Sequence, residues 1–265
     1  MYSPWQLLKK YSSYYFTALN GKGHGIHSPF VYDFVRRVLI DKRNFYAYNQ
    51  VEALRQKLFR DNTLIEVEDF GAGSTINKTN QRTIASIAQH SAKSKKWAQL
   101  LFRIVNYYQP QHILELGTSL GISTAYMSLA NPKARLITAE GSAAVAAQAS
   151  RNFQSLHLSS IQQVVGNFDD TLPGILNAVS PLDLVFIDGN HRYEPTVRYF
   201  NQLLPHLNAT SVVIFDDIHW SQEMEQAWTA IKEHPAVQLS VDLFFIGLLF
   251  FRDDFKVKQH FTIRF

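Results

Sequence analysis

The chain has 265 residues, of which 46% are hydrophobic and 13% aromatic, enough for one large domain or for a domain with an accessory segment. It contains no cysteine, which excludes disulfide scaffolds, thiolate metal sites and thiol nucleophiles. The formal net charge is +4, but the basic residues are dispersed, with the densest cluster at Lys93, Lys95 and Lys96, so no nucleic-acid partner is expected.

Residues 1–16 are rich in aromatics (Tyr2, Tyr11, Tyr14, Tyr15, Phe16) and lack an apolar core of signal-peptide length. The longest apolar run, 243–251, is too short to span a bilayer as a helix. These features predict a soluble, cytoplasmic protein without a membrane span. A glycine-rich turn, GKGHGIHSPF, leads to Pro29, which favours a helix start there. Residues 31–39 and 50–59 then repeat apolar positions at helical spacing, and 83–90 form another helix. Between them lies a glycine turn, EDFGAGS (68–74), between a short charged run and a polar stretch. Residues 1–96 thus read as a mostly helical extension or lid. His24, His27, Tyr14 and Tyr15 are candidates there for an acceptor pocket, with ordinary packing the simpler reading of each.

From residue 97 the pattern changes. A helix over 98–108 is stopped by Pro110. Apolar runs at 113–116, 136–139, 161–165, 184–187 and 211–215 then alternate with helical segments at 122–130, 142–156, 172–179, 196–204 and 222–234. That alternation predicts parallel strands with crossover helices on both faces. Residues 237–244 and 248–252, around Gly247, read as a hairpin without a helix. The expected fold for 97–265 is α/β and Rossmann-like, with a seven-stranded sheet of five parallel strands and a C-terminal antiparallel hairpin. Trp220, Met224 and Trp228 are expected to pack the last helix, and Trp220 is a further candidate for the acceptor pocket.

Ligands of such sheets bind at the carboxyl ends of the strands. The first strand ends in ILELGTSLGIST (113–124), where glycines bring backbone close to a ligand at a helix start. Its spacing is not the dinucleotide pattern GxGxxG. The second strand ends at Glu140, whose two oxygens can hold two ribose hydroxyls. The third ends in Gly166, Asn167, Phe168 and Asp169, a set suited to an adenine edge and face. The fourth ends in FIDGNH, with Asp188 and His191, and the fifth in IFDDIHW, with Asp216, Asp217 and His219.

On the motifs ELGTSLG, TAEG, GNFDDTLP, LVFIDGNH and VIFDDIHW, residues 97–252 resemble the class I S-adenosylmethionine-dependent methyltransferases. They are nearest to the small-molecule O-methyltransferases of the catechol type and their bacterial relatives. EDFGAGS resembles the same cofactor turn, but only the later turn is followed by strands that end in acidic residues at workable spacing. The resemblance implies that Glu115, Gly117, Thr118, Ser119, Gly121 and Ser123 hold the methionine end of S-adenosylmethionine. It implies that Glu140 and Gly141 hold ribose, that Asn167, Phe168 and Asp169 lie along adenine, and that Asp188 borders cofactor and chemistry. In the metal-dependent branch, an Asp at the fourth strand end and an Asp-Asn pair at the fifth bind Mg²⁺. Asp188 and Asp216 match, while Asp217 stands where that branch has Asn, so the implied metal set is Asp188, Asp216 and Asp217. His191 stands where catechol-type enzymes have a basic lysine, and an imidazole can accept a hydroxyl proton. A metal, a histidine base, or both stay open at this point, as does a homo-oligomer. The implied partner is a small-molecule acceptor, and the competing reading is a non-catalytic module that keeps the cofactor fold.

Overall fold

Strand runs with both faces apolar form the centre of the computed structural model, which describes residues 1–68 and 80–265. The EDFGAGS turn lies, apart from Glu68, outside the described residues. In chain order the elements begin with α1 (Pro4–Thr17), α2 (Pro29–Phe34) continuing into a π-helical turn (Val35–Leu39), and α3 (Tyr46–Leu58). There follow β1 (Leu64–Glu66), β2 (Gln81–Thr83), α4 (Ile84–His90), α5 (Lys95–Tyr108), β3 (His112–Leu116), α6 (Ile122–Ala130), β4 (Arg135–Glu140) and α7 (Ala143–Ser155). The rest comprises β5 (Ile161–Val165), α8 (Phe168–Ala178), β6 (Leu182–Ile187), α9 (Tyr193–Leu203), β7 (Leu207–Asp216), α10 (Gln222–Lys232), β8 (Leu239–Asp242), β9 (Ile246–Phe250) and β10 (Gln259–Thr262).

Two compact units emerge: Met1–Asp41 with Val179–Phe265, and the contiguous Lys42–Ala178. In the contiguous unit, β3, β4 and β5 pair in parallel, with Leu114 opposite Ile137 and Ala139 opposite Val164. Between β3 and β4 the crossover is α6, whose residues are all buried. Helix α5 ends at Gln109, which takes the left-handed conformation (φ 48°) just before Pro110. Phe45 and Tyr48, at the start of α3, pack on Phe102 with ring centroids 4.8 and 5.2 Å away. Tyr126 joins that cluster and donates to Glu52 at 3.0 Å.

In the other unit, β6 and β7 are parallel, β9 runs antiparallel between β7 and β8, and β10 adds to β8 in parallel. The expected hairpin is therefore present as β8 and β9. Among the described residues, and apart from an antiparallel β1–β2 pair, the ladders of the two units hold eight strands rather than seven, because β10 joins. Its sequence, QHFT, is short and only half-buried on alternate residues, so it carries no apolar run to announce it. Gly247 is required in β9, since a Cβ there would lie 2.6 Å from the Trp228 ring. Met224 and Trp228 are buried, as expected for the inner face of α10, while Trp220 is half-buried.

Helix α1 starts at a capping box, in which Ser3 and Gln6 satisfy each other's backbone N–H groups. Its inner face carries Tyr11 and Tyr14, which pack on Phe244, and the Tyr14 hydroxyl donates to the Ile263 carbonyl at 2.5 Å. Tyr14 is thus a packing residue, whereas His24 and His27 are exposed. Tyr2 donates to Glu225 at 2.7 Å, and Lys10 reaches the same carboxylate at 2.9 Å. His219 completes this network: Nδ1 lies 2.9 Å from Glu225 and Nε2 2.8 Å from Asp242, with the ring stacked on Phe244.

Burial opposes the charge on His219, but Asp242 and then Glu225 outweigh it and raise its pKa above the ordinary histidine value. Burial would raise Glu225, but Tyr2, Lys10 and His219 outweigh it and hold that carboxyl below its usual range. A raised histidine stabilises fully below its unfolded pKa of about 6.5, and that stability is lost as pH climbs through the folded value. A depressed carboxylate stabilises fully above its unfolded value of about 4.3 and is lost as pH falls through the folded one. The network is therefore strongest in mildly acidic to neutral solution. The difference in Tm between the parent chain and His219→Gln is expected to shrink as pH is raised toward 9; a difference that stays constant would show that the ion pairs contribute nothing.

Candidate cofactor turn and acid–histidine cluster

In the contiguous unit, Glu115, the penultimate residue of β3, is fully buried. Its carboxylate accepts from Ser123 and Thr138 hydroxyls at 2.6 Å each, and from the Thr124 hydroxyl. Thr138 also pairs with Thr118 at 2.6 Å. Glu115 therefore sits beneath the turn and ties β3, β4 and the first turn of α6 together. Ser123 and Thr118 share that network and are buried as well.

Above this hub the backbone turns through three left-handed residues: Gly117 (φ 107°), Ser119 (φ 48°) and Gly121 (φ 77°). Gly117 and Thr118 both donate their N–H groups to the Ala139 carbonyl, at 2.9 and 3.2 Å. Gly121 is fixed by space as well as conformation, because a Cβ there would lie 2.3 Å from the Phe153 ring. Gly121→Ala is expected to cost about 2–4 kcal/mol from left-handed strain plus overpacking. A urea-unfolding midpoint equal to the parent's would contradict that assignment.

Glu140 lies at the end of β4 and is half-buried. One oxygen accepts the Ser119 N–H at 2.9 Å and the other the Ser142 N–H at 3.0 Å. Gly141 follows Glu140 directly. The Ser119 side-chain oxygen is buried and has no hydrogen-bond partner among the described residues, an arrangement that a bound polar group would complete. At the end of β5, Gly166 has φ 139°. Phe168 and Asp169 form the first turn of α8 rather than a loop, and Asn167 caps it by accepting the Asp169 N–H at 3.1 Å. Here the helix starts four residues earlier than the periodicity predicts, because Pro173, which lies inside it, reads as a break.

In the other unit, Asp188 follows β6 and Asp216 ends β7. Donor atoms of Asp188, His191 and Asp216 lie within 4.8 Å of one another. The His191 Nε2 is 3.7 Å from an Asp188 oxygen, and both side chains are mostly covered. Asp216 is buried. Asp217 does not join this group: it takes the left-handed conformation (φ 53°) and its N–H donates to the Phe245 carbonyl at 2.6 Å. The third donor beside Asp188 and Asp216 is His191. A further polar residue beside this group carries no sequence signal. Asn190, also left-handed (φ 64°), donates to the Tyr199 hydroxyl at 3.1 Å, while its buried side-chain oxygen has no partner among the described residues.

Two carboxylates and an imidazole at such separations can hold a divalent cation. Mg²⁺ is typically held by one or two carboxylates while keeping several waters, which Asp188 and Asp216 satisfy. The same groups can instead hold a hydroxyl and take its proton. His191 serves one of these roles at a time, since a ring nitrogen bound to a cation has no lone pair for a proton.

Comparison with known proteins follows the same lines. The family described as Methyltransferase domain matches residues 114–218. A catechol O-methyltransferase of Niastella koreensis is 34% identical over 131 residues, covering 48% of this chain and 57% of that protein. The chain spans about half or less of the length of the curated relatives it matches. Among solved structures, the SAH-bound Podospora anserina methyltransferase superposes with a TM-score of 0.59 at 14% identity, covering 96% of this chain and 98% of that one. The O-methyltransferase of Bacillus cereus in complex with SAH gives 0.56 at 21% identity, covering 82% and 96%. At these identities the structural likeness establishes the fold alone, a Rossmann-like α/β architecture.

Proposed function

We propose that this chain is a class I S-adenosylmethionine-dependent methyltransferase that methylates a hydroxyl of a small-molecule acceptor by direct in-line transfer, with His191 as the base. The observation that carries the reading is the grouping of Asp188, His191 and Asp216 within 4.8 Å at adjacent strand ends, in a chain whose other unit has a glycine turn with an unsatisfied Ser119 hydroxyl. S-adenosylmethionine, when bound, supplies an electrophilic methyl group on a sulfonium. The residues present fit it: the turn through Gly117 and Gly121 admits close approach, Ser119 offers an unused donor, and Glu140 sets a carboxylate at the end of β4 for ribose hydroxyls. Asn167, Phe168 and Asp169 are assigned to adenine.

The chain's own contribution is positioning and proton transfer. In-line displacement asks little covalent chemistry of the protein, and holding the reactants in near-attack geometry supplies much of the acceleration. His191 takes the acceptor's hydroxyl proton at Nε2, and Asp188, 3.7 Å away, steadies the imidazolium that results. Asp216 orients the acceptor from its buried position. Asp188 and Asp216 would hold Mg²⁺, which would supply positive charge beside the developing oxyanion, and His191 would then remain off the metal.

The test is calorimetric titration with S-adenosylmethionine, followed by transfer of labelled methyl from it to catechol and related hydroxyl acceptors, with Mg²⁺ or with EDTA. Micromolar binding and label transfer are expected, with transfer reduced by EDTA. Absence of binding at millimolar ligand would favour the non-catalytic module. Full transfer in EDTA would leave the reaction to His191 without a metal.

A further inference from the structure

Helix α1 buries only one of its faces. Leu7, Tyr11 and Tyr14 turn inward, Tyr14 being 7% exposed. At 100° per residue, Tyr15, Leu8, Ser12, Trp5 and Phe16 fall in one arc of about 100° on another side. Trp5 is 75% exposed, Phe16 81%, Leu8 54% and Tyr15 43%. This contiguous apolar stripe lies along a helix roughly 21 Å long.

The charge carried by the first 32 residues has one sign. Residues 1–32 contain Lys9, Lys10 and Lys22 and no acidic residue. Lys9 follows the stripe on the helix and is exposed, and Arg264 lies 4.4 Å over the Tyr15 ring at the other end. Lys22 is exposed beside Gly21, which abuts the Arg264 backbone. Glu225 is already engaged by Lys10, Tyr2 and His219 on the inner side.

We propose that α1 is a peripheral docking helix for anionic phospholipid surfaces, with Trp5, Leu8 and Phe16 entering the headgroup boundary and Lys9, Lys22 and Arg264 meeting lipid phosphates. Exposed Trp, Phe and Leu beside basic residues are the combination that seats a helix in a bilayer interface. Anionic headgroups complement the basic surround, and each basic residue adds attraction within a Debye length. A second copy of the chain complements it poorly, since a symmetric pairing would set two acid-free basic helices against each other. The stripe also exposes on the order of 500 Å² of side chain, below the roughly 800 Å² per partner of a standard interface. Docking needs no spanning segment, and no described helix is long and apolar enough to cross a membrane.

The test is flotation of the full chain with vesicles of phosphatidylcholine alone and of equimolar phosphatidylcholine and phosphatidylglycerol, with analytical ultracentrifugation in parallel. Binding to the anionic vesicles only is expected, weakened by high salt. The double variant Trp5→Ser, Phe16→Ser should lower the bound fraction about tenfold, and Lys9→Glu several-fold, with thermal unfolding unchanged because these side chains are exposed. No flotation of the parent chain, or equal flotation with neutral vesicles, would overturn the proposal. So would a dimer that the double variant abolishes without any vesicle binding, which would assign the stripe to self-association.

Discussion

Replacing His191 with alanine is expected to lower the single-turnover rate of methyl transfer by about 10²–10⁴-fold, the usual contribution of a positioned general base. Binding of S-adenosylmethionine should be unchanged, because His191 belongs to the acid cluster and not to the glycine turn. The geometry gives the substitution little structural weight: His191 follows β6 in a loop, and its nearest ionic partner is an Asp188 oxygen at 3.7 Å. A fall in kcat with an unaltered melting temperature would place the loss in chemistry. Full turnover would remove the base assignment and leave Asp188 and Asp216 to act through a metal. His191→Gln sharpens the result, since the amide keeps a polar group of similar reach but cannot take a proton at neutral pH.

Glu115→Ala is expected to destabilise the chain by about 3–5 kcal/mol, the range seen when one partner of a buried charged network is removed. Its carboxylate collects the hydroxyls of Ser123, Thr124 and Thr138 in a site closed to solvent. Alanine would leave those donors without an acceptor and open a cavity under the turn. Glu115→Gln should cost less, because one amide oxygen still accepts while the amide nitrogen faces donors it cannot serve. Urea unfolding of the three proteins would rank parent, Gln and Ala in that order. An alanine variant as stable as the parent, with only cofactor binding lost, would return Glu115 to the role of a direct ligand.

That contrast shows what the residue pattern conveyed and what it withheld. The parallel strands were legible because strands covered on both faces are continuous apolar runs, as in 184–187 and 211–215, and their acidic ends identify one edge. Depth was not legible. Glu115 and Glu140 look alike at strand ends, yet one is buried under hydroxyls and the other lies half-exposed between two backbone N–H groups. Nor does an Asp announce a left-handed conformation, so Asp217 reads as a third carboxylate although His191 stands beside Asp188 and Asp216. Asn190 passes for an ordinary turn residue, and only its buried oxygen singles it out. Strand β10 and the π-helical turn at Val35–Leu39 depend on neighbours distant in sequence, which no local period encodes.

The division of the chain has a consequence for how it is made. Lys42–Ala178 is a continuous stretch, so all of its internal native partners have emerged once residue 178 has been made. The unit that carries Asp188, His191 and Asp216 is not continuous, and Met1–Asp41 must wait for residues beyond 178 to emerge. At ordinary synthesis rates that delay is roughly ten seconds. During it, the inner face of the aromatic segment, with Tyr11 and Tyr14, has no native surface to cover it. Chaperone capture of nascent chains arrested before residue 179 should therefore concentrate on the first forty residues.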